Sequence, residues 1–212
     1  LSNRSADCFP ALTAGARDAG AFVAVNPGIR QLTSRTGTFL DCLGQVDLLA
    51  INRVEAEALV PALSAQDEED PVPERWGEAA PRLLRMGLSF GGFDMGLADF
   101  VSRLRRRGAG RVLVTDGVEG AYLADADGLH HCPALRSQVV GTAGAGDAFI
   151  ATLSAFLAQG RPVAAALQAA AANAAAVVSE LDTQGGLLTM AALEEVLAAR
   201  AAELPTTRFD AG

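Results

Sequence analysis

The sequence predicts an α/β fold in which a mostly parallel sheet packs against helices. Short runs of β-type residues alternate along the chain with longer, alanine-rich runs of helical periodicity, which is the pattern of strand-helix-strand units. Half of the 212 residues are hydrophobic, which is enough for a core of ordinary size. The length suits one domain of this class, so we expect residues 1–212 to form a single domain.

Glycine and proline separate the helices and strands in the first half of the chain. The tripeptide Asn26-Pro27-Gly28 ends one apolar strand, and Gly91-Gly92 forms a turn before an amphipathic helix. In chain order we predict a helix at 10–20, a strand at 21–26, a strand at 46–52, a helix at 55–63, an acidic, proline-containing loop at 65–74, a helix at 74–86 and a helix at 96–107.

The second half of the chain begins with strands and continues as helices. In chain order we predict strands at 111–116, 120–125 and 129–132, and then helices from Gly144 to the end in three segments. Gly160-Arg161-Pro162 and Gly185-Gly186 separate these segments. The segment 163–178 is almost entirely Ala and Val. Its length and its internal Gln168 and Asn173 favour a buried helix over a membrane span.

The charge composition excludes several classes of protein. The net charge is −8, and all 17 basic residues are Arg. Without Lys, the chain cannot contain a Walker A loop, the strand lysine of a protein kinase or a Schiff-base nucleophile. The acidic balance argues against a nucleic-acid partner. Because the sequence shows no anchor, we expect no membrane partner either.

The cysteine pattern indicates a reducing cytoplasm. Cys8, Cys42 and Cys132 are odd in number and widely spaced, so they provide neither a disulfide framework nor a paired-cysteine metal site. His130, His131 and Cys132 are contiguous. Since alternate side chains of a strand point to opposite faces, we expect no zinc site there.

The most informative segment is a glycine-rich helix start at residues 141–149. Gly141, Gly144 and Gly146 precede a helix, and Asp147 lies in its first turn. The free N–H groups and the dipole of such a helix start form an anion site. A carboxylate beside that site suits a base that takes a proton from a hydroxyl attacking phosphorus. A second interpretation stays open from the residues alone: Asp147 is a first-turn carboxylate favoured by the dipole, and the glycines form a tight loop.

Three stretches, in order along the chain, resemble motifs of the ribokinase-like (PfkB) carbohydrate kinase family. GTAGAGDAF (141–149) resembles the signature D-T-x-G-A-G-D-x-F, AINRVE (50–55) resembles N-x-x-E, and VLVTDGVEGA (112–121) resembles V-T-x-G-x-x-G. VNPGIRQL (25–32) is similar to the family's strand ending in D-P-N-x-R. The resemblance implies a three-layer α/β/α ribokinase-like (Rossmann-like) sandwich. It also implies Mg²⁺-dependent transfer of the γ-phosphate of ATP to a hydroxyl of a small sugar.

The resemblance also assigns roles to individual residues. Asp147 is implied as the base that deprotonates the acceptor hydroxyl. The implied anion hole consists of four consecutive backbone N–H groups, those of Ala143, Gly144, Ala145 and Gly146. The implied nucleotide-binding residues are Thr115, Gly117, Gly120 and Asn173. Asn52 and Glu55 are implied to organise Mg²⁺ through water, which suits a metal that prefers oxygen ligands.

Two departures limit what the resemblance implies. Gly141 stands where the family usually has Asp, a residue associated with a monovalent-cation site, so the resemblance does not extend to K⁺ activation. Family members continue N-terminal of the strand at 21–26. We therefore expect the lid and most of the sugar contacts to be absent from this chain. Family members often dimerise through lid strands, so a homodimer is an expectation from the resemblance.

Three alternative functions stay open. The first is a nucleoside kinase on the same fold, which a panel of sugars against adenosine would distinguish. The second is a non-catalytic nucleotide-binding fragment, which would bind ATP without transferring phosphate. The third is a Rossmann oxidoreductase, for which the glycine pattern is wrong because a dinucleotide fingerprint would require Gly in place of Phe149.

Overall fold

The computed structural model describes residues 8–66 and 76–210, which divide into two compact units. Among the described residues, the first unit consists of 8–66, 76–116, 123–129 and 210, and the second consists of 117–122 and 130–209. Most of the predicted acidic loop at 65–74 lies outside the described residues. The expectation of a single domain stays a prediction.

The first unit alternates helices with strands, as the sequence predicts. Its described elements are α1 (Phe9–Asp18), β1 (Ala24–Val25), α2 (Ile29–Ser34), α3 (Thr36–Asp41), β2 (Leu48–Asn52), α4 (Arg53–Gln66), α5 (Arg82–Met86), β3 (Leu88–Phe90), β4 (Phe93–Met95), α6 (Leu97–Arg106) and β5 (Val112–Thr115).

A parallel sheet of β1, β2 and β5 forms the centre of the first unit. β1 pairs with β2 and β2 with β5, both in parallel. The β2 residues Leu48, Leu49, Ala50 and Ile51 are at most 1% exposed, because a strand in the middle of a parallel sheet is covered on both faces. The prediction of a mostly parallel sheet is confirmed here.

The segment before α6 differs from the prediction. Gly91 and Gly92 have φ of +62° and +85°, which suits a two-residue turn between antiparallel strands, and they join β3 to β4. The sequence indicated the turn but missed both strands, since three residues are too few to show a period. The predicted helix at 74–86 is also too long. In its described part only α5 is helical, and it begins after Pro81.

The second unit is mainly helical. Its described elements are β6 (Ala121–Ala124), β7 (Leu129–Cys132), α7 (Ala145–Ala158), α8 (Val163–Val178), α9 (Met190–Arg200) and β8 (Thr207–Phe209), with the residues of β6 and β7 divided between the two units. β6, β7 and β8 are neighbours in that order.

Helix α8 confirms the predicted buried helix at 163–178. Its alanines pack closely, and Ala166, Ala169 and Ala170 are completely buried. The prediction that the chain is helical from Gly144 to the end is wrong, because β8 follows Pro205. Proline interrupts a helix, and the threonines after it favour extended backbone. Within the described ranges, no helix has both the length and the apolar character needed to cross a membrane.

Candidate functional site

Two hydrogen bonds hold the glycine-rich loop before α7, in the second unit, against the end of α8. The N–H groups of Val140 and Gly141 both donate to the carbonyl of Val178, at 2.8 and 3.2 Å. A Cβ on Gly141 would lie 3.1 Å from the carbonyl oxygen of Glu180. A side chain at position 141 would therefore require the Glu180 carbonyl to shift by a few tenths of an ångström.

Helix α7 begins where the loop turns into left-handed backbone. Gly144 is its N-cap with φ of +82°, a conformation that favours glycine. A Cβ at Gly144 would meet Thr183 at about 3.0 Å, whereas one at Gly146 would meet nothing within 4 Å. Because Gly144 is the N-cap, Ala145 and Gly146 are the first two residues of the helix. Their N–H groups have no intrahelical acceptor, and Gly146 leaves open space for a ligand.

Asp147 lies in the first turn of α7, as predicted. The side chain is exposed, and in the described part of the chain no group makes a hydrogen bond or ion pair with its carboxylate. A first-turn carboxylate is favoured by the helix dipole, so this position by itself does not decide between a base and a structural residue. The absence of a partner within the described residues leaves its oxygens available to a ligand.

Asn173, predicted at the nucleotide, has its amide engaged inside the second unit. It is 8% exposed, its Nδ2 donates to Oγ1 of Thr152 at 2.8 Å, and its Oδ1 accepts from the N–H of Leu188 at 3.0 Å. The side chain therefore connects α8 to α7 and to the segment before α9. Its role in nucleotide binding stays a prediction.

Gly117 and Gly120 bracket a tight turn. The N–H of Gly120 donates to the carbonyl of Gly117 at 3.2 Å, and Gly120 has φ of +99°. A Cβ at Gly120 would overlap the carbonyl oxygen of Cys132 and Cα of Pro133. Glycine at position 120 is thus required by packing, whether or not a nucleotide lies against the turn.

Asn52 and Glu55 cap helix α4 reciprocally. The N–H of Asn52 donates to Oε2 of Glu55 and the N–H of Glu55 donates to Oδ1 of Asn52, both at 2.9 Å. This is the arrangement of a capping box. Desolvation raises the pKa of Glu55, while the hydrogen bond from Asn52 acts in the opposite direction. Asn52 and Glu55 therefore stabilise the start of α4, and any role in binding a metal would be additional to this capping.

Asn52 and Thr115 are brought together by the register of the sheet. They are the last paired residues of β2 and β5, at the carboxyl ends of two adjacent parallel strands. Ligands of open α/β sheets bind at such strand ends. The sequence did not predict the ion pair between the next two residues, Arg53 and Asp116. These positions are 63 residues apart, so their contact depends on the register of the two strands.

The predicted residues are therefore distributed over both units. Asn52, Glu55 and Thr115 lie in the first unit, whereas the glycine loop and Asp147 lie in the second. Gly117, Gly120 and Asn173 are also in the second unit. Among the described residues, no group of three or more His, Cys, Asp or Glu side chains could hold a metal ion, and the expected absence of a zinc site at His130–Cys132 stays a prediction.

Known proteins are similar to this chain in fold, and some are similar to part of its sequence. Residues 94–190 match the model of the pfkB family carbohydrate kinases. The 5-dehydro-2-deoxygluconokinase of Bacillus licheniformis is 32% identical over 101 residues, which are 47% of this chain and 31% of that protein. The chain thus spans well under half the length of this curated relative.

Solved structures extend the similarity to nearly the whole chain. The ribokinase II from E. coli in complex with ATP and Mg²⁺ matches with a TM-score of 0.68 at 18% identity, covering 94% of this chain and 56% of that one. The nucleoside kinase of Burkholderia thailandensis in complex with inosine matches with a TM-score of 0.65 at 21% identity, covering 91% and 53%. These similarities confirm the predicted ribokinase-like α/β/α fold. The segment 94–190 is similar to the pfkB family carbohydrate kinases, and the chain has the fold of the ribokinase-family kinases.

Proposed function

We propose that this protein is an ATP-dependent, Mg²⁺-requiring kinase that transfers the γ-phosphoryl group of ATP to a hydroxyl of a small sugar. The observation that carries the proposal is the start of α7. There the left-handed Gly144 exposes backbone N–H groups beside Asp147, whose exposed carboxylate has no partner among the residues that the structure describes. The match to a carbohydrate kinase family covers this segment, which supports the assignment.

The residues of this helix start divide the chemistry between them. Asp147 takes the proton from the acceptor hydroxyl as its oxygen attacks phosphorus. The N–H groups of Ala143, Gly144, Ala145 and Gly146 compensate the negative charge that develops on the transferring group. Since these N–H groups are fixed by the backbone, they need no reorganisation during the reaction.

Asn52 and Glu55 are proposed to hold Mg²⁺ through its bound waters. The donor set fits, because amide and carboxylate oxygens are the ligands that this metal prefers, and it retains several waters. Oε2 of Glu55 is used by the capping box, while Oε1 has no hydrogen-bond partner among the described residues. When bound, Mg²⁺ neutralises phosphate charge. Thr115, Gly117, Gly120 and Asn173 are proposed to border the nucleotide, and K⁺ is not assigned a role because of Gly141.

The acceptor is proposed to be a sugar because the curated relative named above is a sugar-acid kinase by its name. A nucleoside acceptor is the second candidate, favoured by the similarity to a nucleoside kinase in complex with inosine. A coupled ADP-release assay with a panel of sugars and with adenosine and inosine distinguishes the two. Turnover on nucleosides alone would replace the sugar proposal, and ATP binding without any transfer would support a non-catalytic nucleotide-binding protein.

The substitution Asp147→Asn tests the proposed base. We expect turnover to fall by about 10²–10⁴-fold, the range for a positioned general base, while ATP affinity measured by calorimetry changes little. Glu194→Gln, which neutralises an exposed carboxylate on α9, is the matched control and should retain normal turnover. Near-normal turnover of Asp147→Asn would remove Asp147 as the base. Failure of the folded wild type to bind ATP would refute the proposed function as a whole.

A further inference from the structure

An ion pair joins the two strand ends that carry predicted site residues of the first unit. Arg53 directly follows Asn52 at the end of β2, and Asp116 directly follows Thr115 at the end of β5. Nε of Arg53 lies 3.3 Å from Oδ1 of Asp116. Because Asn52 and Thr115 are register partners, the ion pair connects the strands one residue beyond their last paired position.

The surroundings of the pair make it more than an ordinary surface contact. The side chain of Asp116 is 7% exposed and that of Arg53 is 35% exposed. A carboxylate withdrawn from water to this extent requires compensation by a cation or by hydrogen bonds. Most exposed ion pairs contribute little because water and salt screen them, and burial of one partner reduces that screening.

The position of Arg53 on its helix also indicates that carboxylates hold its side chain in place. Arg53 is the first residue of α4, where the helix dipole disfavours a positive charge. Glu57, one turn later, lies 3.8 Å from the same Nε. Two carboxylates, one from the helix and one from the end of β5, therefore hold a guanidinium at a helix start that would otherwise disfavour it.

The pair also borders a small cavity of about 180 Å³ in the first unit. Arg53 and Asp116 contribute to its wall together with Arg82 of α5 and Ser89 of β3. Arg82 is exposed and forms no ion pair or hydrogen bond within the described ranges. It therefore offers a matched arginine that borders the same cavity without joining the strands.

We infer that Arg53 and Asp116 are positioning residues whose ion pair holds Asn52 and Thr115 in a constant relation at the strand ends. The inference rests on the proposed function, in which Asn52 organises Mg²⁺ and Thr115 borders the nucleotide. With the pair intact, the metal and the nucleotide meet groups that are already aligned. Without the ion pair, each strand end moves independently. Binding of the metal–nucleotide complex must then order both ends, which makes the binding free energy less favourable.

The test is a double-mutant cycle of Arg53→Gln, Asp116→Asn and the double variant, with ATP affinity measured by calorimetry in the presence and absence of Mg²⁺. We expect each single substitution to weaken Mg–ATP binding by about five- to tenfold, the range for coupled contacts. The double variant should be no weaker than either single one, because the same contact is lost. Metal-free ATP should change by less than about twofold in the same experiment, since only the metal complex uses both strand ends.

Control measurements separate positioning from loss of structure. Arg82→Gln should bind Mg–ATP like the wild type. The double variant leaves no buried charge unpaired, so it keeps the test available if a single variant fails to fold. Unchanged Mg–ATP affinity in the folded double variant, additive losses, or equal losses with and without Mg²⁺ would each overturn the inference. Failure of the folded wild type to bind Mg–ATP would overturn the proposed function and this inference with it.

Discussion

The capping box at the start of α4 allows the structural role of Glu55 to be separated from its proposed metal role. Glu55→Ala removes the acceptor for the N–H of Asn52, a hydrogen bond of 2.9 Å, and Asn52→Ala removes the acceptor for the N–H of Glu55, also at 2.9 Å. Loss of a cap of this kind costs about 0.5–2 kcal/mol of unfolding free energy. We therefore expect each alanine variant to lose about 1 kcal/mol.

Glu55→Gln should behave differently. Its amide oxygen can still accept from the N–H of Asn52, so the capping box is retained. The lost attraction between a first-turn carboxylate and the helix dipole is worth about 0.3–1 kcal/mol. This loss is offset because desolvation, which raises the pKa of Glu55, also disfavours the charged form. The net change in unfolding free energy should stay below about 0.5 kcal/mol.

Urea unfolding followed by circular dichroism measures these differences, and a Mg²⁺ titration of ATP binding on the same variants measures the metal role. We expect Glu55→Gln to keep its stability while requiring more Mg²⁺. Equal destabilisation by Glu55→Gln and Glu55→Ala would refute the capping argument. A stable Glu55→Gln with an unchanged Mg²⁺ titration would remove Glu55 from the metal site.

Three further predictions follow from packing and burial. Gly120→Ala should lower the unfolding free energy by about 1–3 kcal/mol in urea titrations, since the residue has positive φ and a Cβ would overlap the carbonyl of Cys132. Asn173→Ala should cost about 1–3 kcal/mol because it leaves both partners of the amide unsatisfied; unchanged stability would contradict this. Burial lowers the pKa of His131 from its ordinary value of 6.5, so the unfolded state binds the proton more readily. Stability should therefore fall as the pH drops below 6.5, and His131→Gln should remove the part of that dependence that His131 contributes.

Much of the secondary structure could be predicted from local pattern. The helix at 163–178 has the predicted bounds, and the strands at 46–52 and 111–116 were placed to within two residues. β3, β4 and β8 were missed because each has three residues, too few for a period of two to be recognised. The turn at Gly91-Gly92 was recognised without its strands, since a turn is encoded by residue type while pairing requires two distant segments.

The candidate site could be predicted only where its residues are close together in the sequence. The start of α7 with Gly144 and Asp147 is contiguous, so the order of residues carries its geometry. The resemblance implied that Asn173 borders the nucleotide, and that role stays a prediction. The residue order did not reveal that the Asn173 amide is hydrogen-bonded to Thr152 and to the N–H of Leu188, because these residues are 21 and 15 positions away.

The sequence by itself therefore determined the α/β class and the glycine-rich helix start, because each depends on local residue patterns. Only the tertiary structure decided that Asn52 lies beside Thr115 and that Arg53 pairs with Asp116. The register of two parallel strands is fixed by packing over their whole length and by the chain between them. No local pattern around either residue encodes it.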